Sequence, residues 1–237
     1  MNPIDFYGGE VLLVDKPADI SSFGAVNRLK RAFIRKTKKK RYKIGHAGTL
    51  DPLATGLLII CSGKKTKTIS GFQDMPKEYT GTIVLGATRP SHDIETEIDE
   101  TFDLNNITEE KIKETIATFV GEQEQMPPIY SAKKVNGNRA YDLARAGEEV
   151  ILKPNLITIH EMEVTGIELP NVHVRIKCSK GTYIRSIAYD VGKALNNGGY
   201  LLNLRRTKIG NFRVEDANSI EEIQERIFDS EFIERHN

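Results

Sequence analysis

The sequence predicts an α+β fold. Strand-like and helix-like patterns are interspersed without a regular βαβ alternation, which disfavours a doubly wound parallel sheet. Strand candidates are short and rich in Val, Ile and Leu, whereas helical candidates carry one apolar stripe opposite a charged face. The chain has 237 residues, 39% hydrophobic and 28% charged, with 9 prolines and 19 glycines, a globular composition sufficient for one large or two small domains. No apolar run approaches the ~18 residues of a membrane span. Met1-Asn2-Pro3-Ile4-Asp5 has neither a basic nor an apolar leader region, so no signal peptide is read. Cys61 and Cys178 lie in apolar stretches, as expected of reduced, buried thiols in a cytosolic protein. Together with five scattered histidines they have no zinc-ligand spacing, so no metal site is expected.

Taken in order, Glu10 to Val14 reads as a strand ended by Asp15-Lys16-Pro17. Ser21-Ser22 can cap a helix with Ala25, Val26, Leu29, Ala32 and Phe33 on its apolar face and Arg28, Lys30, Arg31 and Arg35 on the other. Gly56 to Cys61 and Tyr79 to Ala87 are buried-strand candidates. The acidic stretch 91–103 lacks apolar periodicity and reads as a surface loop. Thr108-Glu109-Glu110 starts a helix with Ile112, Ile116, Phe119 and Val120 on one side, its acids well placed in the first turn. Ile129 to Val135 reads as a strand entering an Asn136-Gly137 turn, and Arg139 to Arg145 as a short helix closed by Gly147. Val172 to Cys178 alternates apolar and polar residues like a half-exposed strand, and Ile184 to Leu195 is helical. Ile220, Ile223, Ile227 and Phe232 mark a last amphipathic segment.

A formal charge of +1 conceals blocks of alternating sign. Residues 1–90 carry net +9, 91–124 net −9, 125–214 net +7, and 215–237 net −6. Arg28 to Lys43 holds ten Lys or Arg and no acid, including Lys38-Lys39-Lys40-Arg41. A solvated basic face would account for that run alone. The second basic region favours nucleic acid, whose phosphates release counterions when neutralised.

The segment Gly45-His46-Ala47-Gly48-Thr49-Leu50-Asp51-Pro52-Leu53-Ala54-Thr55-Gly56 concentrates three glycines, a proline, a histidine and one carboxylate. Pro52 confines Asp51 to extended or turn backbone. A loop carboxylate in a basic neighbourhood has its ionised form favoured, as a nucleophile requires. Spacing alone favours a turn-initiating role for Asp51 and a bond with a loop carbonyl for His46. Gly63-Lys64-Lys65-Thr66 has the wrong glycine spacing for a nucleotide-phosphate loop.

Extended through Leu57-Leu58, that segment resembles the catalytic motif of the TruB family, the tRNA pseudouridine-55 synthases. Further stretches match in order: Lys77-Glu78-Tyr79, Pro127 to Val135, Lys180-Gly181-Thr182-Tyr183-Ile184-Arg185-Ser186, and Leu204-Arg205-Arg206-Thr207. The resemblance implies the pseudouridine-synthase fold, a mixed, mainly antiparallel central sheet with flanking helices and a catalytic cleft. It implies one catalytic domain over 1–237, with about 215–237 as an acidic helix or tail. Only 24 residues follow Arg213, too few for the C-terminal PUA domain of many members. It further implies cofactor-free isomerisation of the T-loop uridine of tRNA after base flipping, with tRNA as partner, no required protein partner, no membrane, a monomeric state and a cytoplasmic location.

By the same resemblance Asp51 is the nucleophile, Tyr79 stacks on the extruded base and Arg185 pairs with the catalytic carboxylate. His46 fills the space of the flipped nucleotide, Leu204 lines the uracil pocket, Lys67 lies near the site and Tyr183 binds substrate. In an extended segment Tyr183 and Arg185, at i and i+2, would point to one side. Lys38, Lys39, Lys40 and Arg41 are the expected RNA-backbone contacts. Two alternatives stay open: a non-catalytic RNA-binding module, which needs no Asp51, Tyr79 and Arg185 together, and the guide-RNA-dependent branch of the superfamily.

Overall fold

The computed structural model describes residues 3–130, 134–135, 138–139 and 152–232. Its elements in chain order are β1 (Val11–Lys16), α1 (Ser22–Thr37), β2 (Ile44–His46), β3 (Thr55–Ser62), α2 (Ile69–Asp74), β4 (Lys77–Leu85), β5 (Ala87–Thr88), β6 (Glu100–Thr101) and α3 (Glu109–Ala117). There follow β7 (Gly121–Gln125), β8 (Lys134–Val135), β9 (Asn138–Arg139), β10 (Asn155–Glu168), β11 (Asn171–Cys178), α4 (Ile184–Ala194), β12 (Gly199–Ile209), β13 (Phe212–Arg213) and α5 (Ile220–Asp229). The chain forms two units, Met1–Glu78 with Arg205–Asn237, and Tyr79–Leu204.

In the first unit, β1 and β2 both pair antiparallel with β3, whereas the end of β12 runs parallel to it. Mixed pairing of this kind, with helices outside the strands, is the expected α+β architecture. After Thr55, every residue of β3 is buried because both faces are covered. Leu58 and Ile60 pack with Ala25, Val26, Leu29 and Phe33 of α1 and with Ile220, Ile223 and Ile227 of α5. Leu57, Ile59 and Cys61 pack with Ile209 and Val214. A strand buried on both sides reads as a continuous apolar run, which is how Gly56 to Cys61 was recognisable. Helix α1 starts as expected, with Ser21 Oγ accepting from Gly24 N at 2.9 Å, and its C-cap Lys38 is left-handed at φ 53°. Helix α5 begins with a capping box between Ser219 and Glu222.

In the second unit, strand order is β4-β11-β10-β7, with β10 antiparallel to both neighbours. The sequence pattern missed the 14-residue β10, whose alternation is broken by register shifts against β11 near Glu161 and Gly166. Charges support the exposed face: Arg175 bridges Glu161 and Glu163 at 2.9 Å each, and Lys177 meets Glu161 at 3.0 Å. Thr108 caps α3, which buries Ile112 and Ile116. That helix stops at Ala117, so Phe119 and Val120 lie beyond it, and Val120 is exposed.

Two further expectations change. The acidic stretch is a loop but not wholly a surface one, since Ser91 and Asp93 are buried and Glu100–Thr101 pairs with β5. Ile129 and Tyr130 form a bend instead of a strand, and Lys134–Val135 pairs with Asn138–Arg139, whereas residues 131–133 lie outside the described residues. The intervening Asn136-Gly137 and most of the helix expected over 139–145 lie outside the described residues. Cys61 and Cys178 are buried thiols. Among the described residues no helix is long and apolar enough to cross a membrane.

Removing a fully buried branched side chain from α5 tests whether this acidic helix belongs to the core. Ile223→Ala is expected to cost about 2–4 kcal/mol of unfolding free energy in urea titrations. A loss below about 0.5 kcal/mol would show that α5 merely rests on the surface.

Candidate active site

The residues singled out in the sequence divide between the units. His46, Asp51, Lys67 and Lys38 to Arg41 belong to the first, and Tyr79, Tyr183, Arg185 and Leu204 to the second. Each group is positioned by the elements of its own unit.

In the first unit Asp51 sits on the loop joining β2 to β3, half-buried before an exposed Pro52. Four attachments immobilise that loop. Ser22, the first residue of α1, donates Oγ to Leu50 O at 2.9 Å and accepts from Leu50 N at 2.8 Å. Ala54 N bonds Asp51 O at 3.1 Å, closing a tight turn across Pro52. Arg206, buried on β12, donates Nε to Leu57 O at 2.7 Å, Nη2 to Gly48 O at 3.2 Å and Nη1 to Thr49 O at 3.4 Å. Lys16, fully buried at the end of β1, donates Nζ to Pro17 O, Ile20 O and Pro52 O at 2.8, 2.7 and 3.1 Å. Carbonyls on both sides of Asp51 therefore converge on two interior cations.

Gly56 makes this possible. At φ +99° it pairs with Arg206 in the parallel register, and a Cβ there would lie 2.3 Å from Arg206 O. Only glycine admits both the backbone conformation and the approach of β12.

Burial pushes the Lys16 ammonium down to about 8; attraction to Asp51 and Asp19 offsets part of that, and repulsion from Arg206 adds to it. His46 stands on β2 opposite Ile60. Its Nδ1 is buried without a hydrogen-bond partner among the described residues. Burial, reinforced by Arg206, holds its imidazole below the usual histidine range, while a bond with the Gly48 backbone raises it. Lys67 is exposed on the 3₁₀ turn Gly63–Thr68, beyond the Ser62 end of β3, whereas the Asp51 loop enters at the Thr55 end. Lys38, Lys39, Lys40 and Arg41 are all exposed.

In the second unit Tyr79 is buried on β4, and Leu204 is half-buried on β12, its Cδ1 close against Gly81. Tyr183 and Arg185 do not share an extended segment. After Gly181 at φ +78°, Tyr183 is the extended N-cap and Arg185 lies in the first turn of α4, so the i, i+2 side chains diverge. The cause is Gln125, whose side-chain amide donates to Tyr183 O at 3.0 Å and accepts from Tyr183 N at 2.8 Å. Arg185 is buried, donates to Ser91 O at 3.2 Å and Tyr130 O at 3.0 Å, and meets Asp93 at 3.6 Å.

Sequence reading assigned no role to Lys16, Arg206, Asp93 or Gln125, and gave Ser22 only a part in capping α1. Lys16 lies between Asp15 and Pro17, and Arg206 between Arg205 and Thr207, so their immediate neighbours do not signal a buried charge. Nothing local marks Gln125 or Asp93, because their partners lie 58 and 92 residues away.

This geometry has known counterparts. Residues 34–184, more than half of the chain, match the model of the TruB family pseudouridylate synthase N-terminal domain. The chain belongs to the TruB family. It is a pseudouridine synthase by that membership, and its fold is the family's α+β fold. A relative from Flavobacterium johnsoniae named tRNA pseudouridine synthase B is 55% identical over 228 residues, covering 96% of this chain and all of the relative. One of the same name from Phocaeicola vulgatus is 51% identical, covering 94% of each chain. In the crystal structure of a Cbf5–Nop10–Gar1 complex, a chain 27% identical superposes with a TM-score of 0.70. That match covers 93% of this TruB-family chain but only 54% of the solved one, about half its length.

The buried ammonium has a pH signature. The unfolded lysine titrates near 10.5 and the folded one near 8, so between those values the unfolded chain holds the extra proton. Stability from this group therefore rises with pH across that window. Unfolding free energy of the parent relative to Lys16→Met should climb from pH 8 to pH 10, and a flat or falling difference would contradict burial of the charge.

Proposed function

We propose that this chain is a tRNA pseudouridine synthase that isomerises the T-loop uridine at position 55. The observation that carries the reading is a single carboxylate, Asp51, on a loop whose flanking carbonyls are tied to Arg206, Lys16 and Ser22. Such a loop cannot relax to suit a solvated surface aspartate, and pre-positioning a nucleophile is the use of that rigidity. The names of the relatives support tRNA as the substrate. Position 55 comes from the motif resemblance described above.

In this reaction the bond from uracil N1 to C1′ breaks and a bond from C5 to C1′ forms. C5 loses a proton and N1 gains one, so the nucleotide keeps its composition. Asp51 supplies the nucleophile to the base or the sugar, and no cofactor takes part. The uridine must first leave its stack, at a cost of a few kcal/mol offset by stacking on Tyr79 and by phosphate contacts. Arg185, held by Asp93 and by the carbonyls of Ser91 and Tyr130, is the cation assigned to orient the carboxylate. His46, neutral near pH 7, is suited to fill space left by the displaced nucleotide without placing a second charge beside Arg206. Leu204 and Tyr183 bound the uracil, and Lys67 reaches the RNA more peripherally. The enzyme acts as a cytoplasmic monomer without a protein partner.

Release of tritium from C5-labelled uridine in an unmodified tRNA transcript tests this reading. Asp51→Ala and Asp51→Asn should each abolish release while tRNA affinity stays within about twofold of the parent. Turnover near the parent rate in both variants would remove Asp51 as nucleophile. A parent active only when a guide RNA is added would instead support the guide-dependent branch.

The exposed run Lys38 to Arg41 is assigned to RNA phosphates. Changing all four to Gln should weaken tRNA binding and flatten the plot of log Kd against log salt by about 0.7–0.9 for each phosphate no longer neutralised. An unchanged slope would mean that these side chains face away from the RNA.

A further inference from the structure

Helix α1 presents three sides. One is buried, through Ser22, Ala25, Val26, Leu29, Ala32, Phe33 and Thr37. The second is occupied by α5: Arg28 pairs with Glu221 at 3.6 Å, the Arg35 guanidinium lies 5.4 Å from the centroid of the Phe228 ring, and Lys36 donates to Phe228 O. At 100° per residue the third side carries Phe23, Asn27, Lys30 and Arg31 and leads to Lys38. Phe23 opens this side and is 66% exposed. Its neighbour Ser22 is buried and bonded to both backbone groups of Leu50, the residue before Asp51. An exposed aromatic ring thus stands beside the reacting loop, and about 22 Å along the axis the helix ends in four consecutive exposed cations.

We propose that this third side of α1 is an RNA track in which Phe23 is a stacking platform for an unpaired base next to the flipped uridine. The inference rests on the reading of Asp51 as the reacting group. A protein partner would bury a contiguous apolar patch, whereas Phe23 is a lone ring followed by Asn27, Lys30 and Arg31. That combination, a planar face with cations trailing from it, is what a single strand engages through its base and its phosphates. A T-loop nucleotide everted from its stack leaves neighbours that have lost a stacking face, and Phe23 offers a replacement. Glu221 of α5 holds Arg28 on the second side and leaves the third to the RNA.

The chain contains no tryptophan, so Phe23→Trp places one fluorophore on the proposed platform. Titrating this otherwise unchanged chain with unmodified tRNA transcript should quench its emission saturably, at concentrations matching the Kd from filter binding. Phe23→Ala should raise that Kd on the order of tenfold. Its salt slope should match the parent's, since stacking releases no counterions. Unchanged tryptophan emission with tRNA bound, or an Ala variant that binds like the parent, would overturn the inference. If tRNA binds and is isomerised under either result, only the stacking role falls. If the parent neither binds nor isomerises tRNA, the functional reading falls with it.

Discussion

The Asp51 loop depends on the approach of β12 to β3 at Gly56. This is a parallel contact beside an antiparallel one, and it brings the backbone of residue 206 within a distance that no side chain at 56 would tolerate. Once that approach is made, the Arg206 guanidinium is inside the protein and must be satisfied there. It reaches the carbonyls of Gly48, Thr49 and Leu57. A buried cation left without acceptors would cost several kcal/mol, so the loop is held in the one shape that supplies them.

Cations in this chain do two kinds of work, separated by burial. Lys16 and Arg206 have almost no exposure and spend their donors on carbonyls, so they act on backbone shape and on the local field. Lys38 to Arg41 are exposed, with the Lys39 ammonium over the Tyr7 and Phe232 rings, and a polyanion can displace their counterions. An overall charge of +1 describes neither group.

The second unit solves a similar problem with different groups. Arg185 would be an expensive buried charge in the first turn of a helix, but Asp93 and two carbonyls receive it. Gln125 saturates both backbone polar groups of Tyr183 and so decides where α4 begins. Tyr183 and Arg185 are thus held by a helix start and a buried loop, which are stiffer supports than a free surface segment.

Much of this was legible in the chain itself. The apolar run of β3, the 3.6-residue stripe and Ser21 cap of α1, the first-turn acids of α3 and the ordered motifs around Asp51 are local patterns, and local patterns survive in sequence. Helix α3 ended earlier than its periodicity, because Phe119 and Val120 continue the spacing without continuing the helix. Strand β10 was invisible because its register against β11 shifts twice and its exposed acids carry no alternation of hydropathy. The partners of Arg206, Lys16, Arg185 and Tyr183 were decided only by tertiary structure. Each is a hydrogen bond or ion pair to a group distant in the chain or to a carbonyl, and a carbonyl is the same chemical group at every position of the sequence.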